Sequence, residues 1–361
     1  MHVCYVLSYR SPDYIRTRTL LDALEHMPDI QYVTAINQER GLRRYKDTLE
    51  RVRRLKERHS PDVYLLGFRG HELYWPLRWL VGQTPIIFDA MMSPYSSLLD
   101  EKKFGLMGAI GARLWWPVEK TILHDSQIVI TDTELHRNHL SKTFSLPLQK
   151  IVPIPVGAIS PENLGVAPTA RTSFDELRIL FYGSFLPLHG IDIILQAVKI
   201  CGALPLHFIF IGGDNETERK LRRVFGTCSQ SRYTHHPWVP FEVLVGRELL
   251  AADLCLGGPF GDTQQARRVV TGKSQQSLAA GVATVIGEID EKFGFLDKEN
   301  CLLVPQGSAQ ELAAALSWAY AHKDRLSLIG VRGQLLYRDQ FSRAPIRQAL
   351  NTALTAATSF R

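Results

Sequence analysis

The sequence predicts an α/β chain of two doubly wound domains, each built on a parallel sheet, facing a cleft. Three observations carry this expectation. Short apolar runs of strand length alternate with stretches of helical period along the whole chain. The alternation breaks once, at residues 157–173 (GAISPENLGVAPTARTS), which are rich in Gly, Pro, Ser and Ala, and then restarts. The chain has 361 residues, 45% hydrophobic and 22% charged, enough for two ordinary globular cores.

In the first half, strands are expected at 3–9, 31–36, 63–68, 85–90, 127–132 and 151–156. A helix over 41–58 follows from Leu42, Tyr45, Leu49, Val52 and Leu55, which recur at helical spacing with arginines and lysines on the other faces. In the second half, strands are expected at 177–183, 206–212, 233–239, 253–258, 283–287 and 301–305, with a final helix over 343–358. The domains expected are thus 1–156, a linker at 157–173, 174–335, and a helical tail at 336–361 packing back on the first domain. Ligands of doubly wound sheets bind outside the carboxyl ends of the strands, so the loops after these strands are where chemistry belongs.

Bulk properties narrow the function class. A net charge of +6 favours anionic partners such as nucleotides or acidic lipid headgroups, without calling for nucleic acid. Cys4, Cys201, Cys228, Cys255 and Cys301 are scattered and odd in number, which reads as reduced thiols of a cytoplasmic protein rather than a disulfide framework or zinc site. The doublet His235-His236 has no spaced partner, so no metal site is expected. No apolar run reaches the ~18 residues of a membrane span; FGLMGAIGARLWWPV is interrupted by Arg113 and Pro117. The N-terminus carries no signal-peptide pattern. A soluble or peripheral cytoplasmic protein is expected.

Two segments of the second half carry chemistry. In FYGSFLPLHGIDIILQAV (181–198), Gly183 ends a strand and Gly190 opens a helix, where free N–H groups favour phosphate oxygens; an ordinary pair of turn glycines is the equal alternative. Further on, TGKSQQSLAAG (271–281) looks like the tail of a P-loop, yet the glycine that motif needs is Arg267. What remains is Lys273 at a helix N-terminus, where ammonium and helix dipole both favour an anion. Gln276 shares its face. A solvent-facing Lys and Gln is the plainer reading.

These residues resemble the nucleotide-binding domain of group 1 (family 4) glycosyltransferases of the GT-B fold, a branch with an FYG[ST]F-x-PLHG turn. FYGSFLPLHG (181–190) matches almost completely, as does WVPFEVL…ADLCLGGPFGDTQQARRVV. The first half matches more loosely, through FDAMMSPYSSLLDEKK (88–103) and VITDTELHRNHL (129–140). The resemblance implies a nucleotide-diphosphate sugar as donor substrate, no required cofactor or metal, and a saccharide or lipid-linked saccharide acceptor held by the first domain. It implies retention at the anomeric carbon and a role in surface polysaccharide or glycolipid synthesis.

By family position, Lys273 grips the diphosphate, assisted by Gly183, Ser184, Gly190 and, in place of a usual second basic group, His189. His189 reads equally as a turn residue. Gly212, Gly213 and Asp214 with Trp238 and Val239 border the base. Gly258, Phe260, Gly261, Asp262 and Thr263 face the sugar. Two departures stand out: the acidic ribose ligand falls at Gln276, and the first of the family's paired glutamates falls at Arg268. Other readings of the same fold are a nucleotide-sugar epimerase and a non-catalytic nucleotide-binding relative.

In the first half, Arg10, Arg16 and Arg18 could reach phosphate, against the plainer reading of a solvated helix face. Asp89, at a strand end, is the candidate to orient or deprotonate an acceptor hydroxyl; for Asp132 and Thr133, helix capping is the stronger reading. The basic helix 41–58 and the segment 104–118, with Phe104, Leu106, Met107, Leu114, Trp115 and Trp116, together resemble a peripheral surface for anionic membrane. A solvated face and a core helix are the plainer reading.

Overall fold

The computed structural model describes residues 1–100, 105–159, 175–291 and 293–359. Most of the expected linker, Phe104, and the side chain of Leu106 lie outside the described residues. The chain divides into two compact units, residues 1–157 with 343–361 and residues 158–342.

Unit 1 holds strands β1 (His2–Leu7), β2 (Gln31–Ile36), β3 (Val63–Leu66), β4 (Ile86–Asp89), β5 (Ile128–Thr131) and β6 (Ile151–Pro153), all parallel, in the order β2-β1-β3-β4-β5-β6. Every residue of β3, β4 and β5 is buried, which is why they read as unbroken apolar runs: helices cover both faces. The helices are α1 (Ile15–Glu25), α2 (Arg43–His59), α3 (His71–Val81), α4 (Pro94–Asp100), α5 (Gly105–Asp125), α6 (Glu134–Phe144) and, from the far end of the chain, α13 (Arg343–Thr358). On one face Val52, Leu77, Ile122 and Leu140 bring α2, α3, α5 and α6 into one cluster. On the other, Leu20 and Leu24 of α1 meet Leu350 and Leu354 of α13. Arg343 fastens the returning helix with two hydrogen bonds to Asp22, at 2.7 and 2.8 Å. The segment after Asp89 is not all loop: Ser93 caps the turn into α4, its Oγ accepting from Ser96 N–H at 3.0 Å.

Unit 2 repeats the plan. Its strands are β7 (Leu177–Tyr182), β8 (Leu206–Ile211), β9 (Arg232–His236), β10 (Leu254–Leu256), β11 (Ala283–Gly287) and β12 (Leu302–Val304), in the order β12-β11-β10-β7-β8-β9. Its helices are α7 (Ile191–Ile200), α8 (Asn215–Phe225), the short α9 (Phe241–Val243, continued by a π turn), α10 (Gly272–Ala279), α11 (Ala309–Ala321) and α12 (Lys323–Gln340). Phe181, Phe208, Leu254 and Val285 form its core with Ile194, Leu221 and Leu316. Strand order reverses between β7 and β10, so the crevice outside the carboxyl ends of these two strands is the binding position of this topology.

Candidate anion site at the switch point of unit 2

Helix α10 starts where β10 ends, and its first turn is stitched to the loop between them. Thr271 caps the helix, accepting from Ser274 N–H at 3.2 Å and donating to the Gly257 carbonyl at 2.6 Å. Ser274 Oγ donates to the Gly258 carbonyl at 3.1 Å. This rigid start aims Lys273 toward the end of β7. Its side chain is not on a solvated face: Lys273 is 6% exposed. Nζ stands 5.6 Å from the centre of the Phe181 ring and has no hydrogen-bond or carboxylate partner among the described residues. Burial pulls its pKa down to about 7. A desolvated amine with no counter-charge is costly to keep, and an anion at this point would restore its proton.

Gly183, the first residue past β7, has φ of +136°. A Cβ built there would sit 3.5 Å from both Lys273 Nζ and the His189 ring, so these two groups converge beside a backbone position whose φ favours glycine. His189 Nδ1 accepts from Leu186 N–H at 3.2 Å, which leaves the proton on Nε2 as a donor. Burial, and then the neighbouring Lys273 charge, push the His189 pKa down to about 2. His189 is therefore a neutral donor beside an amine, one residue before the glycine that opens α7. Gly212 completes the floor: its φ is +108°, and a Cβ there would fall 2.0 Å from the Gly183 carbonyl oxygen. His235 supports that turn, with Nε2 donating to the Gly212 carbonyl at 2.8 Å and Nδ1 on Glu218 at 2.7 Å.

Against known proteins, no family model matches the chain, and no curated protein matches it. Solved structures do. Sucrose-phosphate synthase from Thermosynechococcus elongatus superposes with a TM-score of 0.76 at 15% identity, over 100% of both chains. Anabaena HepE in complex with UDP and glucose gives 0.68 at 13% identity, over 99% of this chain and 100% of that one. The lipopolysaccharide outer core galactosyltransferase WaaB gives 0.60 at 10% identity, over 99% of each. The fold is GT-B. At these identities the likeness establishes architecture, two parallel six-stranded sheets with flanking helices, shared with glycosyltransferases.

Within unit 2, Lys273, His189, Gly183, Gly190 and Gly212 come together. Ser184 and Trp238 are exposed, Trp238 at 75%, and Val239 is half-buried, on the loops after β7 and β9. Other expected site residues take part in local structure. Asp214 is the cap of α8, accepting from Glu216 and Thr217 N–H, next to Gly213 in the same tight turn. Phe260 is 1% exposed and belongs to the core around Phe181, so it does not face a sugar. Gly258 and Gly261 shape the loop: Gly261 N–H donates to the Leu188 carbonyl at 3.1 Å, tying it to the His189 turn. Thr263 caps the turn at Ala266, and Asp262 pairs with Arg267 at 2.6 Å. Sequence reasoning passed over Thr271 and Phe181; the T-x-x-S spacing before an apolar helix was the available signal for the first.

Gln276 departs most from its expected role. It is 4% exposed, and its amide is spent on the backbone of Ile159: Nε2 donates to the carbonyl at 2.6 Å, and Oε1 accepts from the N–H at 3.1 Å. Tyr337 OH holds the preceding residue, accepting from Ala158 N–H at 2.9 Å. An amide suits this double bond because it both donates and accepts; a carboxylate would face the Ile159 carbonyl without a donor. Gln276→Glu should therefore lower the melting free energy by about 1–3 kcal/mol and leave nucleotide affinity no tighter. Thermal melts and calorimetric titration of the two proteins check this, and tighter binding would return Gln276 to the ribose.

In unit 1, Asp89 and Arg16 are both fully buried and form an ion pair, Nε to Oδ2 at 3.0 Å and Nη2 to Oδ1 at 3.3 Å. Oδ1 also accepts from Met91 N–H at 3.2 Å. Arg16 goes on to the Thr131 carbonyl at 3.0 Å and to the Ile154 carbonyl, so one guanidinium ties the ends of β4, β5 and β6. Neither the phosphate role nor the solvated role expected for Arg16 fits this position. Both Asp89 oxygens are engaged and the side chain is fully buried, so it is not an exposed base. Arg10 is exposed, and Arg18 and Arg268 are half-buried. Asp132 accepts or shares a proton with His136 Nδ1 at 2.7 Å, and Thr133 caps α6.

Proposed function

We propose that the chain transfers a sugar from a nucleotide-diphosphate sugar to an acceptor hydroxyl. The carrying observation is Lys273: a buried amine with no hydrogen-bond or carboxylate partner among the described residues, at the switch point of a GT-B donor-type sheet. When the anomeric C–O bond breaks, negative charge grows on the departing diphosphate. Lys273, the His189 Nε2–H and the N-terminal N–H groups of α7 and α10 would be the donors that meet that charge. Trp238 and Val239, beyond β9, would border the base. The complexes of HepE with UDP, UDP-glucose and glucose support a donor of this class.

The acceptor would be a saccharide or lipid-linked saccharide recognised by unit 1, with attack on the leaving-group face and retention, in cytoplasmic synthesis of a surface polysaccharide or glycolipid. Asp89 is committed to Arg16, so the reading does not use it as a base. Incubation with a panel of nucleotide sugars, with and without membrane extract, tests the proposal. Acceptor-dependent release of nucleoside diphosphate is the expected result. Turnover without acceptor would point to an epimerase or hydrolase, and no binding or release with any donor would end the enzymatic reading.

A further inference from the structure

Helices α2, α3 and α5 cover the same face of the first sheet, so their outward sides form one flank. They are tied edge to edge. Lys56 Nζ of α2 donates to the Leu80 carbonyl of α3 at 2.8 Å, and Arg78 Nε and Tyr74 OH of α3 donate to Asp125 of α5 at 2.7 and 2.6 Å. Along the outward side of α5, Met107, Ile110, Leu114 and Val118 are 78%, 52%, 70% and 42% exposed. Their spacing of three and four residues makes one stripe about 16 Å long, parallel to the helix axis. Trp115 and Trp116, expected to belong to this surface, turn inward: Trp116 stacks on Phe144, and Trp115 meets His71 edge-on. Ile110 and Val118 take their place. On α3, Trp79 is 80% exposed. It adjoins Leu80, where α2 is fastened, and α2 carries eight Arg and Lys against three Asp and Glu. Arg43, Lys46, Arg53, Arg54 and Arg58 are among its exposed side chains.

An apolar stripe of exposed aliphatic side chains lies on the same flank as a strongly cationic helix and an exposed indole. That combination matches the layers of an anionic bilayer surface: acyl boundary, interface and headgroup phosphates. We propose that this flank docks unit 1 on anionic lipid. The α5 stripe and Trp79 enter the interface, α5 lies parallel to the membrane, and α2 rests over the headgroups. No described helix is long and apolar enough to cross a membrane, so the attachment is peripheral in kind. The inference does not rest on the nucleotide-sugar reading and stands or falls apart from it.

Flotation of the full chain with vesicles tests it. Binding is expected to phosphatidylcholine mixed with phosphatidylglycerol, and to be weaker by about ten-fold or more on phosphatidylcholine alone or in high salt. Leu114→Glu should lower binding to the mixed vesicles by about ten-fold or more, with an unchanged melting temperature because the side chain is exposed. Arg54→Glu with Arg58→Glu should weaken binding and flatten its salt dependence. Failure to float with anionic vesicles would overturn the proposal, as would wild-type binding by Leu114→Glu. Light scattering run alongside exposes the competing occupant. A dimer that Leu114→Glu converts to monomer, with no vesicle binding, would make this flank a contact between copies of the chain.

Discussion

Lys273→Met should weaken the binding of a nucleoside diphosphate or nucleotide sugar by about ten-fold or more, while leaving the protein as stable as before or more so. A charge-assisted hydrogen bond contributes about 1.5–3 kcal/mol, and each 1.4 kcal/mol is a factor of ten. Stability moves the other way because the free protein holds this amine buried, with no counter-charge among the described residues. Burial has lowered its pKa from 10.5 to about 7, so the unfolded chain keeps a proton that the folded chain gives up between those values. Stability from this group therefore rises as pH climbs from about 7 and is absent below it. Methionine fills similar volume without that cost. Calorimetric titration with a panel of nucleotide sugars, together with thermal melts at neutral pH, reads both signs. A loss of stability without a loss of affinity would make Lys273 a structural residue.

Arg16→Met should be the most destabilising single change in unit 1, at about 3–5 kcal/mol, because it leaves the Asp89 carboxylate buried and unpaired and frees three strand ends. For a unit of this size, that is a fall of very roughly 6–20 °C in its melting transition. Asp89→Asn should cost less, since the amide oxygen can still accept from Arg16 and the guanidinium keeps its backbone carbonyl partners. The double change Arg16→Met with Asp89→Leu should recover part of the loss, because the penalty lies in the stranded charge. Equal melting of wild type and Arg16→Met would show that the pair contributes no fastening.

All twelve strands of the described residues were legible in the sequence, and for the central ones physics says why. Parallel strands buried on both faces must be continuous apolar runs, and runs such as VYLL and ATVIG can be little else. Helix α4 was not legible, because Met91-Met92-Ser93-Pro94 reads as loop until Ser93 is seen to cap it. At the candidate site, the start of α10 after a glycine-rich loop was legible, whereas the burial of Lys273 was not, because a lysine at a helix start reads as solvent-facing. The roles of Gln276 and Asp89 were not legible either. Their partners, Ile159 and Arg16, lie 117 and 73 residues away, and no local pattern records a contact made by folding. The burial of Phe260 was not legible for a related reason: a phenylalanine in a glycine-rich loop reads as a ligand contact, whereas here it packs in the core with Phe181.

The central claim is that Lys273 meets an anion, and proton uptake on binding tests it most directly. The diphosphate of a nucleotide sugar does not titrate near neutrality, so any proton taken up at pH 8 goes to the protein. With a free pKa of about 7, about nine-tenths of Lys273 is unprotonated at that pH, and an anion should restore the charge. Calorimetric titration of the tightest-binding nucleotide sugar, in two buffers of different ionisation enthalpy, should show uptake approaching one proton at pH 8. Uptake should fall toward zero at pH 6 and vanish in Lys273→Met. Binding at pH 8 with no proton uptake, or the same uptake in Lys273→Met, would contradict the account.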